Sequence, residues 1–238
     1  MKQTVLITGA SRGIGRACAL AFAKKGYRVF ANYRQKEDAA QSLLQEAAAM
    51  GAELSLFRAD VTDPQAVEEM VKAAGRIDVL INNAGISLEM PFQDMRVSDW
   101  DYVQDNCLKS VFLCTRAVLP AMIARHSGSI VNVSSIWGLC GASCEVAYSA
   151  AKAGVIGLTR ALAKEVGYSG VRVNCIAPGV IDTDMNAVYS KEDLQVLCDQ
   201  TPLGRMGTTD EIAQAVLFLA EHPFLCGEVL NVSGGFVI

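Results

Sequence analysis

The stretch TVLITGASRGIG, residues 4–15, joins a short apolar run to a glycine-rich turn and the start of a helical pattern. Residues 4–8 form a β-rich run, and Gly9, Gly13 and Gly15 follow it directly. In a dinucleotide-binding fold, the turn between the first strand and the first helix presents backbone N–H groups to a pyrophosphate. The spacing G-x-x-x-G-x-G differs from the usual G-x-G-x-x-G fingerprint, so this interpretation needs support from the rest of the chain.

Beyond this stretch, β-rich runs alternate with helical patterns along the whole chain. The further runs are YRVFANY, ELSLFRA, IDVLINN, GSIVNVSS, VRVNCIA and GEVLNVS, and helices are expected to begin near Gly13, Lys36, Pro64, Asp99, Val146 and Thr209. Several strands are apolar on both faces, as in a parallel sheet covered by helices. The pattern predicts one α/β domain over residues 1–238, a doubly wound Rossmann-type fold whose seven-stranded parallel sheet has the order 3-2-1-4-5-6-7.

Two helix starts carry explicit signals. Asp63 precedes Pro64, which predicts an N-cap followed by proline at the first helical position. The sequence TTDE, residues 208–211, has the spacing of a capping box.

Composition excludes several classes of protein. The net charge is −4 without a long basic run, which argues against nucleic-acid and membrane partners. The N-terminal apolar run is too short for a signal peptide, so we expect a cytoplasmic protein. Eight cysteines without a C-x-x-C pair, together with only two histidines, predict reduced thiols and no metal site.

The end of the second strand bears on the choice of cofactor. An enzyme that prefers NAD has an acidic residue there to hold the ribose hydroxyls, whereas this chain reads ANYRQ. Arg34 in this stretch and Arg12 in the glycine turn can together hold a 2′-phosphate. We therefore predict NADP(H) as the cofactor; the alternative is two solvated surface arginines.

The stretch AYSAAKAG, residues 147–154, places Tyr148 and Lys152 on one face of a helix. Taken alone, this spacing is compatible with a packed tyrosine beside a solvated lysine. It is also compatible with two polar groups that converge on one reacting atom. The surrounding motifs decide between the two.

These motifs occur together: TGASRGIG, NNAG at residues 82–85, Ser135 thirteen positions before Tyr148, Y-x-x-x-K, and NVSGG near the C-terminus. In this combination the chain resembles the short-chain dehydrogenase/reductase family, and within it the 3-oxoacyl-[acyl-carrier-protein] reductase branch. The resemblance implies reduction of a ketone, such as a 3-oxoacyl thioester of fatty acid biosynthesis, by NADP(H), with an acyl carrier protein as a possible partner. Alternatives are a dehydrogenase of a steroid, polyol or sugar, and a non-catalytic nucleotide-binding regulator.

The resemblance also implies roles for individual residues. The catalytic residues are Ser135, Tyr148 and Lys152, with tyrosine as the proton donor, serine bound to the carbonyl oxygen and lysine on the nicotinamide ribose. The cofactor is held by Gly9, Ser11, Arg12, Gly13, Ile14, Gly15, Arg34, Asp60, Val61, Asn82, Ala84, Gly85, Tyr148, Lys152, Pro178, Gly179, Ile181 and Thr183.

Elementary electrostatics supports the tyrosine as an acid. A free tyrosine titrates near pH ~10, too high for efficient proton transfer at neutral pH. A cation about 4 Å away in a medium of dielectric about 20 interacts by roughly 4 kcal/mol, so we expect Lys152 to lower the pKa of Tyr148 towards neutrality. Ser135, at a strand end, can donate to the developing oxyanion. Its neighbour Ser134 is the less favoured candidate.

One position departs from the family pattern. Many members carry a fourth catalytic residue, an asparagine, in the helix after the fourth strand, where it supports a proton relay. The matching position here is Cys107, and Asn106 lies one residue earlier. One residue turns a helical side chain by about 100°. Either a π-type bulge restores the asparagine or Cys107 occupies the site; we favour Cys107.

The substrate end is the least predictable part. We expect residues 136–146 and 184–200 to line it, with Trp137 as either a substrate wall or a packed aromatic ring. Carrier-binding family members tend to be basic where this chain has His126 and Ser169, although Arg125 and Lys164 lie nearby. The helical patterns at residues 100–124 and 146–167 carry more apolar surface than one face of the sheet can cover. They therefore predict an oligomer, and the resemblance implies a homotetramer.

Overall fold

The computed structural model describes residues 2–185 and 190–237, and seven parallel strands form one sheet in this part of the chain. Their order is β3-β2-β1-β4-β5-β6-β7, as predicted. The strands are β1 (Thr4–Ile7), β2 (Arg28–Tyr33), β3 (Leu54–Arg58), β4 (Val79–Asn82), β5 (Gly128–Val133), β6 (Val171–Pro178) and β7 (Val229–Val232).

Helices connect the strands and cover both faces of the sheet. They are α1 (Gly13–Lys24), α2 (Glu37–Ala49), α3 (Pro64–Ala74), α4 (Val97–Gln104), α5 (Ser110–Ala124), α6 (Trp137–Cys140), α7 (Val146–Val166), α8 (Lys191–Asp199) and α9 (Thr209–Glu221). A π-helical turn, Asp105–Lys109, joins α4 to α5, and short 3₁₀ turns occur at Phe92–Asp94 and Gly167–Ser169. The sequence did not predict α6 or α8, and it offered the π-helical turn only as the less favoured of two alternatives at Asn106 and Cys107.

The core lies in two layers because successive strand residues point to opposite faces. Val5 and Ile7 of β1 pack with α1, α2 and α9 on one face. Leu6, between them, packs with α3, α5 and the end of α7 on the other. All three are fully buried, which explains why the strand reads as continuously apolar.

The chain order reverses between β1 and β4, which are neighbours in the sheet although β2 and β3 intervene in sequence. In doubly wound folds, ligands bind at the carboxyl ends of the strands beside such a reversal. The glycine turn follows β1 and the NNAG motif begins at the last residue of β4. The topology therefore brings these two motifs together.

One helical stretch among the described residues, Val97–Ala124, is apolar and long enough to cross a membrane by length and composition alone. Within it, α5 packs against β4, β5 and α3. A core helix of a soluble protein passes the same test, so this stretch is weak evidence for a membrane span.

The eight cysteines are all present as free thiols. Burial raises the pKa of Cys18 and Cys114 to about 12 and that of Cys175 to about 11. These three thiols stay protonated at neutral pH and act as small apolar side chains.

Both predicted caps are present. Asp63 accepts a hydrogen bond from the backbone N–H of Gln65 at 2.9 Å, and Pro64 opens α3. Thr208 accepts from the backbone N–H of Glu211, whose carboxylate accepts from the backbone N–H of Thr208. These side chains satisfy N–H groups that have no partner within the helix.

Replacing Asp63 with alanine removes the cap of α3. We expect Asp63→Ala to lower the free energy of unfolding by about 1 kcal/mol, the usual value of such a cap. Urea denaturation of the two proteins measures the difference. Asp63→Asn, which keeps an acceptor oxygen, is the matched control; equal destabilisation by both variants would contradict the cap assignment.

Candidate active site

The glycine turn after β1 brings the backbone close to the NNAG segment. Gly9 and Gly13 have positive φ angles of 66° and 54°, which glycine adopts without strain. A Cβ on Gly15 would lie 2.3 Å from the carbonyl oxygen of Gly9 and 2.5 Å from Asn83 Nδ2. Asn83 Nδ2 donates to the carbonyl oxygens of Thr8 and Gly9 at 2.9 and 3.1 Å. The side chain of Asn83 thus ties the glycine turn to the NNAG segment.

The N-terminus of α1 opens from this turn without a side-chain cap. Arg12 at the N-cap position makes no capping hydrogen bond, and the first turn of the helix carries no acidic residue. Free N–H groups and the positive end of the helix dipole favour an anionic ligand at this point. The turn therefore fits the pyrophosphate of a dinucleotide.

A polar cluster lies at the carboxyl ends of β2 and β3. Arg34 Nη1 donates to Asp60 Oδ2 at 3.3 Å and to Asn106 Oδ1 at 3.1 Å. Burial raises the pKa of Asp60, but hydrogen bonds from Thr62 and the nearby Arg34 guanidinium outweigh burial and hold that pKa below its usual value. Asp60 is therefore an anion at neutral pH, available to accept from an amino group.

The second predicted arginine also has a carboxylate partner. Arg12 Nη1 lies 3.2 Å from Asp184 Oδ2, and both side chains are more than half exposed. An exposed ion pair of this kind contributes little to stability and opens readily. Arg12 and Arg34 line one cavity, together with Asp60.

Ser135, Tyr148 and Lys152 line the same cavity and are all buried. Ser135 follows β5, whereas Tyr148 and Lys152 lie one turn apart near the start of α7. Lys152 Nζ is 5.5 Å from the centre of the Tyr148 ring and donates to the carbonyl oxygen of Val133 at 2.8 Å. The spacing seen in the sequence thus places a cation beside the tyrosine ring.

The two adjacent serines have different environments. Ser134 Oγ donates to the carbonyl oxygen of Lys152 at 2.8 Å, a contact that ties β5 to α7. Ser135 Oγ accepts from the backbone N–H of Trp137 at 3.2 Å, which leaves its hydroxyl hydrogen for another acceptor. Of the two, Ser135 is better placed to donate to a ligand.

The π-helical turn places Asn106 and Cys107 in different environments. Cys107 Sγ donates to the carbonyl oxygen of Ile86 at 3.1 Å and lies 3.4 Å from the Ile86 nitrogen. A Cβ on Gly85 would be 3.4 Å from Lys152 Nζ and 3.6 Å from Cys107 Sγ. Lys152 Nζ and Cys107 Sγ thus both lie close to Gly85, whereas Asn106 Oδ1 accepts from Arg34 Nη1.

The segment 136–146, expected to line the substrate end, contains a carboxylate that the sequence analysis did not single out. Glu145, which is 5% exposed, accepts from Ser87 Oγ at 2.6 Å. Both residues line the cavity close to Tyr148. Ser87 lies two residues after the NNAG motif, and Glu145 lies three residues before Tyr148. Their closeness to these two motifs is the sequence feature that could have indicated them.

Trp137 combines the two roles considered for it. Its ring lines the cavity and also packs edge-on against Phe236, with 5.4 Å between ring centres. Of the segments expected at the substrate end, residues 186–189 lie outside the described residues. Asp184, Met185 and Leu197 of the second segment do line the cavity.

The cavity has a volume of about 990 Å³, large enough for a dinucleotide. It is lined by Gly9, Ser11, Arg12, Gly13, Ile14, Arg34, Asp60, Val61, Ala84, Gly85, Ser135, Tyr148, Lys152, Pro178, Gly179, Ile181 and Thr183 among the predicted residues.

Two predicted residues are placed differently. Gly15 is buried behind the turn, where it permits close packing and does not line the cavity. Asn82, the last residue of β4, is buried, and its Nδ2 donates to Asn132 Oδ1 of β5 and to Thr115 Oγ1 of α5. Asn83, one residue later, lines the cavity in its place.

Comparison with known proteins agrees with this geometry. The family model for short chain dehydrogenases matches residues 3–194. The chain is 42% identical to a 3-oxoacyl-[acyl-carrier-protein] reductase of Synechocystis, over 99% of this chain and 97% of the relative. It is 43% identical to the 3-oxoacyl-[acyl-carrier-protein] reductase FabG of Thermotoga maritima, over 99% and 98% of the two chains.

Among solved structures, the chain is similar to that of a protein from Agrobacterium tumefaciens proposed to be a gluconate dehydrogenase. The two share 32% identity with a TM-score of 0.94, over 99% of this chain and 97% of the other. The resemblance seen in the sequence is thereby confirmed. This chain belongs to the short-chain dehydrogenase/reductase family and is an oxidoreductase that acts on C=O and CH–OH groups.

Proposed function

We propose that this protein reduces a 3-oxoacyl thioester to the 3-hydroxyacyl thioester with NADPH. The observation that carries the proposal is that Ser135, Tyr148 and Lys152 line one cavity together with Arg12 and Arg34. The named activity of relatives more than 40% identical over nearly the full chain supports the substrate class.

The three residues at the substrate end divide the work of proton transfer. Tyr148 gives its hydroxyl proton to the carbonyl oxygen as that oxygen gains negative charge. Ser135 donates a hydrogen bond to the same oxygen. Lys152 stabilises the tyrosinate that is left and holds the ribose next to the nicotinamide. When bound, the nicotinamide supplies the hydride for the carbonyl carbon.

The remaining cavity residues hold the cofactor. Arg12 and Arg34 take the 2′-phosphate, and Asp60 with Val61 flanks the adenine. Ala84 and Gly85 border the adenosine ribose, with Asn83 in place of the side chain of Asn82. The carboxamide is held by residues that follow or end β6, namely Pro178, Gly179, Ile181 and Thr183.

Binding of an acyl carrier protein has weaker support in the surface charges. His126 and Lys164 are exposed, whereas the Arg125 guanidinium donates to the carbonyl oxygen of Ile77 and is partly buried. Of the two cations near these positions, Arg125 and Lys164, only Lys164 is exposed. A thioester of coenzyme A is the simpler substrate with which to test the chemistry.

A second candidate is oxidation of a polyol or sugar. The buried pair of Ser87 and Glu145 favours it, because a carboxylate in the substrate end accepts hydrogen bonds from substrate hydroxyl groups. The Agrobacterium protein similar in structure is itself proposed to be a gluconate dehydrogenase.

Steady-state kinetics with a substrate panel separates the two candidates. We expect kcat/KM to be highest for a short 3-oxoacyl-coenzyme A thioester, above cyclic and hydroxylated ketones. NADPH should be preferred over NADH by about tenfold or more, since a charge-assisted bond to the 2′-phosphate is lost with NADH. Turnover of hydroxylated ketones or polyols without any turnover of the thioester would overturn the substrate assignment.

The same resemblance suggests the cellular location and the oligomeric state of the enzyme. We propose a cytoplasmic homotetramer whose protomers, residues 1–238, are single domains. Phe112 of α5 is half exposed, and small residues of α7 such as Ala150, Ala153 and Gly157 are exposed, which leaves an apolar face for a second copy.

A further inference from the structure

Asn106 lies on the π-helical turn Asp105–Lys109, far in sequence from the glycine turn but next to Arg34. Its side chain is buried, with 7% exposure. Asn106 Nδ2 donates to the carbonyl oxygen of Tyr102 at 2.8 Å, which fixes the orientation of the amide. Its Oδ1 is thereby turned towards the guanidinium, from which it accepts at 3.1 Å.

The backbone of Asn106 is also held. Its carbonyl oxygen accepts a hydrogen bond at 2.7 Å from the hydroxyl of Ser110, which is the first residue of α5. Both the main chain and the amide of Asn106 are thus fixed before any ligand binds. An acceptor fixed in this way restricts the arginine that it contacts.

We propose that Asn106 is a positioning residue that holds Arg34 for the 2′-phosphate and so strengthens the preference for NADP(H) over NAD(H). The inference rests on the proposed use of NADP(H). It assigns Asn106 to cofactor selectivity and separates it from the proton relay, beside which Cys107 lies.

The chemistry of the contact favours this role. An arginine side chain has much rotational freedom, which costs free energy when it is fixed during binding. A neutral amide orients the guanidinium without cancelling its charge, whereas a second carboxylate would weaken attraction to a phosphate. Asp60 already supplies one carboxylate at 3.3 Å, so a neutral second acceptor preserves positive charge at the site.

The geometry leaves part of the guanidinium for a ligand. The bonds to Asp60 and Asn106 both use Nη1 of Arg34, and Nε with Nη2 can form a bidentate pair with phosphate. The Tyr102 hydroxyl also interacts with the guanidinium, but this tyrosine is 47% exposed and its ring can turn aside.

Calorimetric binding of two adenosine fragments tests the proposal without turnover. 2′,5′-ADP carries the 2′-phosphate, and 5′-AMP lacks it. We expect Asn106→Ala to weaken binding of 2′,5′-ADP by about tenfold, as for a lost hydrogen bond to a charged group, and to leave 5′-AMP unchanged. Lys109→Arg, an exposed change on the same turn that keeps the positive charge beside Asp105, is the matched control and should alter neither.

A double-mutant cycle with Arg34→Ala shows whether Asn106 acts through the arginine. We expect Asn106→Ala to have no further effect when Arg34 is absent. Equal weakening of both fragments, additive effects in the double variant, or unchanged binding of 2′,5′-ADP would each overturn the inference. If Arg34→Ala itself leaves the preference for 2′,5′-ADP unchanged, the cofactor assignment fails instead.

Kinetics adds a readout that a merely structural role would not move. With NADPH the KM should rise and kcat stay constant, and with NADH both should stay constant. If Asn106→Ala does not fold, Asn106→Ser provides the same comparison, because a serine hydroxyl on this residue is too short to reach Arg34.

Discussion

Tyr148→Phe is expected to lower kcat for ketone reduction by about 100- to 10,000-fold, the usual contribution of a positioned general acid. Phenylalanine keeps the ring that packs beside Lys152, where Nζ lies 5.5 Å from the ring centre, and removes only the hydroxyl. The carbonyl oxygen then has no proton donor at this position. Initial rates of NADPH oxidation with a 3-oxoacyl thioester measure the loss.

The control for this variant is cofactor affinity. Because the buried ring of Tyr148 is retained, we expect Tyr148→Phe to stay folded and to bind NADP⁺, with far smaller changes in Kd than in kcat. Ser134→Ala serves as a comparison, since its hydroxyl is bound to the carbonyl oxygen of Lys152. Undiminished turnover by Tyr148→Phe would show that another group delivers the proton.

Gly15→Ala is expected to have the second large effect, on cofactor binding. The new methyl carbon would lie 2.3 Å from the carbonyl oxygen of Gly9 and 2.5 Å from Asn83 Nδ2, so the glycine turn must move. Overpacking of this kind costs about 1–3 kcal/mol, which corresponds to a Kd for NADP⁺ raised roughly 5- to 150-fold. Fluorescence titration with NADPH measures the change.

Gly167→Ala is the matched control for that substitution. Gly167 has helical φ and ψ angles, and a Cβ there would meet nothing within 4 Å. We expect this variant to bind NADPH as the original protein does. If Gly15→Ala also binds NADPH normally, the close packing of the glycine turn on Asn83 is not needed for cofactor binding.

The fold was predictable because its signals are local. A strand buried on both faces, such as β1, is recognised from its run of buried, mostly apolar residues. The N-cap of α3 is recognised from two adjacent residues, Asp63 and Pro64. The beginning of α4 was less clear: the expected start was near Asp99, whereas the helix begins at Val97. Asp99 accepts from the backbone N–H and the guanidinium of Arg96, so it occupies the third helical position.

The side chains that decide specificity depend on contacts between distant residues. Glu145 and Ser87 are 58 positions apart, and no spacing pattern joins them. Arg34 and Asn106 are 72 positions apart and meet only because a π-helical turn shifts the helix register. Asn82 was assigned to the ribose, but its side chain bonds to Asn132 and Thr115, and Asn83 lines the cavity instead.

The π-helical turn was considered from the sequence, but with the opposite consequence. A π-type bulge was the less favoured alternative, in which Asn106 takes the fourth catalytic position in place of Cys107. In the structure the turn is present, yet Cys107 faces Ile86 while Asn106 faces Arg34. Asn106 lines the cavity beside Arg34, whereas Cys107 is fully buried, and its assignment to the fourth catalytic position stays a prediction.

The most direct test of the central proposal is product analysis by mass spectrometry. The protein is incubated with NADPH and a 3-oxoacyl-coenzyme A thioester, and NADPH consumption is followed in the same sample. We predict a 3-hydroxyacyl thioester that has gained two hydrogens, formed in equal amount to the NADPH oxidised, and none with Tyr148→Phe on the same time scale. An unchanged thioester after prolonged incubation with active, NADPH-binding protein would contradict the proposal.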